Sequence, residues 1–172
     1  KTKDFLLSSA CEFKPGEAGY QEHVVHGVFD ATAMLWINHP GEMHKHGSGR
    51  PNYWAGNGCL PKVCQHLGLA VITYNIPNKY EIGYTHAYVP IDEFDEIVHK
   101  KAWLFVRKGK GFAGIYAKQK FEFETVGPTK DRELISKGYQ NVWILRCGNE
   151  DEFTSFSSFI DSIIKSDLSI TE

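Results

Sequence analysis

The sequence predicts a mostly β protein: an antiparallel β-sandwich carrying one amphipathic C-terminal helix. Three observations predict it. Apolar and aromatic residues alternate with polar ones at period two through the first three-quarters of the chain. Glycine, proline and asparagine interrupt these runs where strands must turn. Near the end the period changes, and apolar residues recur at spacings of three, four and seven.

The elements follow in order. "HVVHGVF" (23–29) and "AMLWINH" (33–39) flank Asp30, Ala31 and Thr32 as the arms of a hairpin. "LAVITYNI" (69–76) is nearly continuous in apolar and aromatic residues, which suits a central strand that Pro77-Asn78 ends. "IGYTHAYV" (82–89) alternates, with Tyr84, His86 and Tyr88 on one face, and Pro90 closes it. "IDEFDEIVHKK" (91–101) fits a helical turn or an acidic loop equally well. "WLFVRKGKGFAGIYA" (103–117) is a hairpin around Lys108-Gly109-Lys110-Gly111, where glycine supplies the positive φ of a tight turn. "FEFETV" (121–126) and "VWILRC" (142–147) are two more strands with a Gly/Pro-marked loop between them. Phe153, Phe156, Phe159, Ile160, Ile163 and Ile164 share one helical face, and Asn149 with Glu152 forms a capping pair at its start. The terminal "SDLSITE" has the pattern of a strand that begins and is cut short.

At 172 residues the chain has the length of one domain able to bury about 70% of its unfolded surface. It starts at Lys1 without methionine, so the expectation is a single sandwich domain, residues 1–172, taken from a larger multidomain protein. With 42% hydrophobic and 23% charged residues it is globular. A net charge of -2 leaves no electrostatic footprint for nucleic acid and no basic run suited to an anionic membrane. No apolar stretch is long enough to span a bilayer. Cys11, Cys59, Cys64 and Cys147 match neither a CxxC pair nor a zinc ribbon, which favours buried reduced thiols over disulfides.

Residues 39–58, "HPGEMHKHGSGRPNYWAGNG", carry the densest chemistry. Glycines at 47, 49, 56 and 58 let backbone approach a ligand. Arg50 offers a planar fork that pairs with a carboxylate or sulfate. Tyr53 and Trp54 present flat faces suited to a sugar ring, and Asn52 and Asn57 can donate to and accept from hydroxyls. Together they suit an acidic saccharide; a self-packed Ω-loop is the equal alternative. The histidines admit a second chemistry. His44 and His46 are two apart and can face one way, whereas strand alternation sends His23 and His26 to opposite faces. A zinc site needs three or four convergent ligands. Histidine also suits proton transfer, and Tyr84, His86 and Tyr88 on one face supply the types that β-elimination of a uronic acid requires, a base for C5–H and an acid for the leaving oxygen. Paired carboxylates for glycoside hydrolysis do not stand out. Cys64 and His66 lack an orienting partner for nucleophilic catalysis, and no nucleotide-binding or nucleophile-elbow motif exists.

"PGEAGYQEHVV", "LWINHPGE", "RPNYWAGNG", "YTHAYVP" and "WLFVRKGKGFAGIYA" resemble the β-sandwich portion of heparinase II/III-like carbohydrate-active enzymes, over roughly residues 13 to 148. In that group an α/α-toroid precedes the sandwich and the substrate cleft runs between them. The resemblance implies a toroid domain in the same protein and an acidic polysaccharide or oligosaccharide as partner. It implies polysaccharide lyase or glycoside hydrolase activity on uronic-acid glycans; the alternative is a non-catalytic carbohydrate-binding or scaffolding sandwich. Within that frame His46, His86 and Tyr88 are the catalytic candidates, with His39 also able to transfer a proton. Arg50, Asn52, Tyr53, Trp54 and Asn57 would bind substrate. Some relatives hold zinc through two histidines and an aspartate. Tyr20-Gln21-x-His23 and Asn38-His39-Pro40-Gly41 resemble the strands carrying two of these ligands, which makes His23 and His39 the metal candidates. Asn38 stands where the aspartate is expected, so zinc is an option and not a requirement.

Overall fold

Among the described residues, strand pairing turns the period-two alternation into two six-stranded sheets in which every pairing is antiparallel. The computed structural model describes residues 1–11, 23–40 and 58–166. The first sheet runs β1 (Leu6–Ser9), β2 (Val25–Val28), β3 (Met34–Asn38), β6 (Tyr84–Tyr88), β11 (Glu133–Lys137) and β10 (Glu122–Phe123). The second runs β4 (Lys62–His66), β5 (Leu69–Asn75), β12 (Gln140–Asn149), β9 (Gly111–Ala117), β8 (Trp103–Lys108) and β7 (Glu96–Lys100). The sandwich expected from the sequence is the fold observed.

Turn chemistry fixes both predicted hairpins. Between β2 and β3, Asp30 Oδ1 accepts from the backbone N–H groups of Thr32 at 2.8 Å and Ala33 at 2.7 Å. Between β8 and β9, Lys108 pairs with Gly111, and Gly109 takes φ +54° in the two-residue loop. Four strands escaped the sequence pattern. Residues 91–101 are neither simply a turn nor a loop: a 3₁₀ turn at Ile91–Glu93 leads into β7. β1, β4 and β11 also lie outside the predicted runs, and β11 occupies what the sequence marked as the loop after 126.

The inner faces meet in one apolar cluster. Leu35, Ile37, Ala87 and Leu134 come from the first sheet, and Ile72, Leu104, Ile115, Trp143 and Leu145 from the second. One polar seam crosses this core. Asn141 Nδ2 donates to Thr85 Oγ1 at 3.0 Å and Ser136 Oγ at 2.6 Å, and Trp143 Nε1 donates to Thr85 Oγ1 at 2.8 Å. These bonds satisfy groups that burial would otherwise penalise, and they tie β12 to β6 and β11.

The second sheet is buried on its outer face as well. The helical period at the C-terminus is divided into α1 (Glu150–Phe153) and α2 (Phe156–Lys165), with Thr154 at φ +61° between them. Asn149 caps α1 as expected, its side chain accepting from Glu152 N at 3.3 Å, and Ser155 caps α2. Phe156, Phe159, Ile160 and Ile163 then cover Trp103, Phe105, Phe112, Tyr116 and Ile144. Gly114 allows this closeness, since a Cβ there would stand 2.9 Å from Phe105 Cε1. No helix among the described residues is long and apolar enough to cross a membrane. All four cysteines are free thiols, but only Cys147 is buried, and burial pushes its pKa up to about 12; Cys11 and Cys64 are exposed. The terminal strand expected in "SDLSITE" lies outside the described residues beyond Ser166.

Candidate functional site

Among the described residues no helix covers the outer face of the first sheet, and polar and aromatic side chains collect there. Alternation sends Leu35, Ile37, Ala87 and Leu134 inward, so His26, Trp36, Asn38, Tyr84, His86, Tyr88 and Glu133 point outward. Register then sets their neighbours. Trp36 faces Tyr88, Asn38 faces His86, and Glu133 faces Tyr88, which places Glu133 diagonally from His86. That diagonal closes into an ion-pair geometry, with His86 Nδ1 lying 2.8 Å from Glu133 Oε1. His86 is 0% exposed and Glu133 1%. Nδ1–H donation to the carboxylate fixes the ring's tautomer and leaves Nε2 as its basic nitrogen. A carboxylate also stabilises the imidazolium that forms if Nε2 takes a proton.

Aromatic rings wall this pair on one side. Trp36 and Tyr88 stack at 4.1 Å and 14°, and His23 stacks on Trp36 at 4.9 Å and 14°. Arg132 Nη1 donates to Tyr88 Oη at 3.4 Å while Nη2 pairs with Asp92 at 2.5 Å. Tyr84 lies on the other side, its ring 6.2 Å from that of His86. Sequence reasoning therefore placed Tyr84, His86 and Tyr88 correctly on one face. It missed Glu133 altogether.

The predicted metal residues come together with different partners. His23 precedes β2, so strand alternation does not govern it, and its Nδ1 meets His26 Nε2 at 2.7 Å. The expectation that His23 and His26 point apart is corrected on this ground. His39 is buried, and its Nε2–H donates to the Ile82 carbonyl at 2.8 Å, which removes that nitrogen as a metal ligand. Burial also lowers the His39 pKa and keeps the ring neutral. Among the described residues no group of three or more His, Cys, Asp or Glu side chains is arranged to hold a metal ion.

Burial first, and then the neighbouring His23, depress the His26 pKa to about 4. A base depressed in the folded state binds more protons when unfolded. Its contribution to stability is therefore complete above pH ~6.5 and lost as pH falls toward about 4. Melting curves at about pH 7 and about pH 4.5 should show a steeper acid loss for the native chain than for His26→Asn; parallel losses would remove His26 as a cause.

His46, Arg50, Asn52, Tyr53, Trp54 and Asn57 lie outside the described residues. The ends of their segment are placed. The Gly58 N–H donates to the His39 carbonyl at 2.9 Å, so the segment leaves and returns at one point. That point adjoins Asn38, which faces His86 across the β3–β6 pair. No protein-family model matches the chain, and no curated protein or solved structure matches it.

Proposed function

We propose that the chain is the β-sandwich part of a polysaccharide lyase or glycoside hydrolase acting on uronic-acid glycans, with the outer face of its first sheet toward the substrate. The buried His86–Glu133 pair is the observation that carries this reading. A histidine oriented by a carboxylate is a device for accepting and returning a proton near neutral pH. Tyr84 and Tyr88 flank it with phenolic hydroxyls able to serve the leaving oxygen. The 39–58 segment is rooted beside the pair, so Arg50 is the candidate to hold the sugar carboxylate, with Tyr53 and Trp54 against the rings and Asn52 and Asn57 on hydroxyls. His46 belongs to the same segment and is a second candidate for proton transfer. The partner domain on this reading is an α/α-toroid of the same protein. Zinc at His23 and His39 is not needed for the proton-transfer scheme.

A second reading has one observation in its favour. His86 and Glu133 are completely covered, and both faces of Trp36 are occupied by His23 and Tyr88, which leaves that indole no face for a sugar. A non-catalytic carbohydrate-binding sandwich in which the pair only pins two strands fits that burial. His86→Gln in the full-length protein separates the readings. On uronic-acid polysaccharides, followed by ultraviolet absorbance of unsaturated ends and by reducing ends, turnover should fall about a hundredfold or more. Wild-type turnover by this variant, or by Arg50→Ala at limiting substrate, would overturn the catalytic reading.

A further inference from the structure

We propose that the open seam of the sandwich, away from the His86 face, is a subsite for the carboxylate of an acidic sugar, held between Lys101 and Lys120 over the ring of Phe121. β7 ends the second sheet and β10 ends the first, and a groove of about 370 Å³ lies where these edges part. His99, Lys101, Ala102, Lys120 and Phe121 line it, and among the described residues no carboxylate joins them. A second groove of about 460 Å³ continues from Lys120 and Phe121 along β10 to Lys137, and because Glu122 and Glu124 line it, the stretch suited to an anion is the one at Lys101 and Lys120.

Both lysines have positive φ, as do Leu67, Asp131 and Thr154. Lys101 has φ +54° and Lys120 φ +59°, in the left-handed region that glycine occupies with least strain. Lys101 opens the two-residue turn joining β7 to β8, where Lys100 pairs with Trp103, and glycine is the usual residue for such a φ. Among the described residues neither lysine makes an ion pair, whereas nearby Lys100 pairs with Asp161 and Lys108 with Asp30. Phe121 is held from within by Trp143, its ring parallel to within 9° at 6.1 Å, and is flanked by the His99 ring at 5.6 Å. Half-buried and fixed, it offers an apolar surface beside two cations. That pairing of charge with a flat ring suits a uronic acid, which joins a carboxylate to an apolar C–H face.

The choice of sugar rests on the function proposed above, but the capture of an anion rests on the groove. The test is a titration of the chain with trigalacturonate and with the neutral galactose trimer, read from the backbone amide shifts of residues 118–122, so that sugar held elsewhere is not counted. Trigalacturonate should bind, with the neutral trimer weaker by about tenfold. Lys101→Gly/Lys120→Gly should lose about tenfold in affinity. Because glycine relieves both positive φ values, this variant should melt no lower than the native chain, which separates lost charge from lost fold. Lys101→Arg/Lys120→Arg should keep the binding. Unchanged affinity in the glycine variant, equal binding of the neutral trimer, or a response to inorganic sulfate alone would each overturn the subsite. Failure here with His86→Gln still inactive removes the subsite only; binding here with His86→Gln fully active removes the catalytic reading and leaves the subsite standing.

Discussion

Glu133→Leu is expected to destabilise the fold by about 3 kcal/mol, a fall of roughly 6–12 °C in melting temperature for a chain of this size. Glu133 and His86 are almost wholly removed from water, and their short contact joins β11 to β6 diagonally across the ladder. Leucine fills the space but takes away the carboxylate to which His86 Nδ1 donates. A buried polar group stripped of one partner costs its desolvation without compensation. The double replacement His86→Leu/Glu133→Leu should therefore recover much of the loss, because an apolar pair has nothing to desolvate. Glu133→Gln keeps an acceptor of similar size and should cost only about 1 kcal/mol. Denaturant unfolding of the native chain, Glu133→Leu, His86→Leu and the double variant completes the cycle; a single-variant loss below about 0.5 kcal/mol would mean that the pair contributes little. The glutamine variant also bears on function. If it stays folded yet turns over acidic glycans poorly, it is the negative charge behind His86, and not the packing, that the chemistry uses.

The two sheets show what a sequence makes legible. "WLFVRKGKGFAGIYA" announces β8 and β9 because both faces are covered, one by the opposite sheet and one by α2, so nearly every residue is apolar. β6 is legible for the opposite reason: strict alternation separates Thr85 and Ala87 from Tyr84, His86 and Tyr88. β11 is neither. In "ELISK" the apolar Leu134 and Ile135 sit side by side, and the buried first residue is a glutamate. A charged residue becomes a tolerable core residue only through a partner, and Glu133 finds its partner 47 residues away through strand register. No local pattern encodes that distance. β4 hides similarly, since an edge strand such as "KVCQH" has one side in water and carries only Val63 and Cys64 as apolar residues. His23 was misjudged because alternation applies only inside a ladder, and β2 begins at Val25.

Phe159→Ala should rank with the most damaging single changes, at about 3–5 kcal/mol. Phe159 is 0% exposed, and its ring meets Phe153 at 5.0 Å, Phe112 at 5.6 Å and Phe105 at 6.1 Å. It is the point where α1, α2, β8 and β9 meet. Truncation opens a cavity that neighbours cannot fill without movement, because Gly114 and Gly148 already bring backbone close to Phe105 and Phe153. The loss should be localised. The second sheet also packs inward through Leu104, Ile115 and Leu145, so the sandwich core keeps its own contacts when the helix weakens. Amide exchange should therefore accelerate first along α2 and the outer contacts of β9, while β6 and β11 stay protected. The His86–Glu133 pair lies on the opposite side of the sandwich, separated from Phe159 by both sheets. Stability losses at the two places should accordingly add to within about 0.5 kcal/mol in the Phe159→Ala/Glu133→Leu combination. A larger departure from additivity would show that the helix-covered sheet and the polar face fold as one tightly coupled unit, with the Asn141–Thr85–Ser136 seam as the route between them.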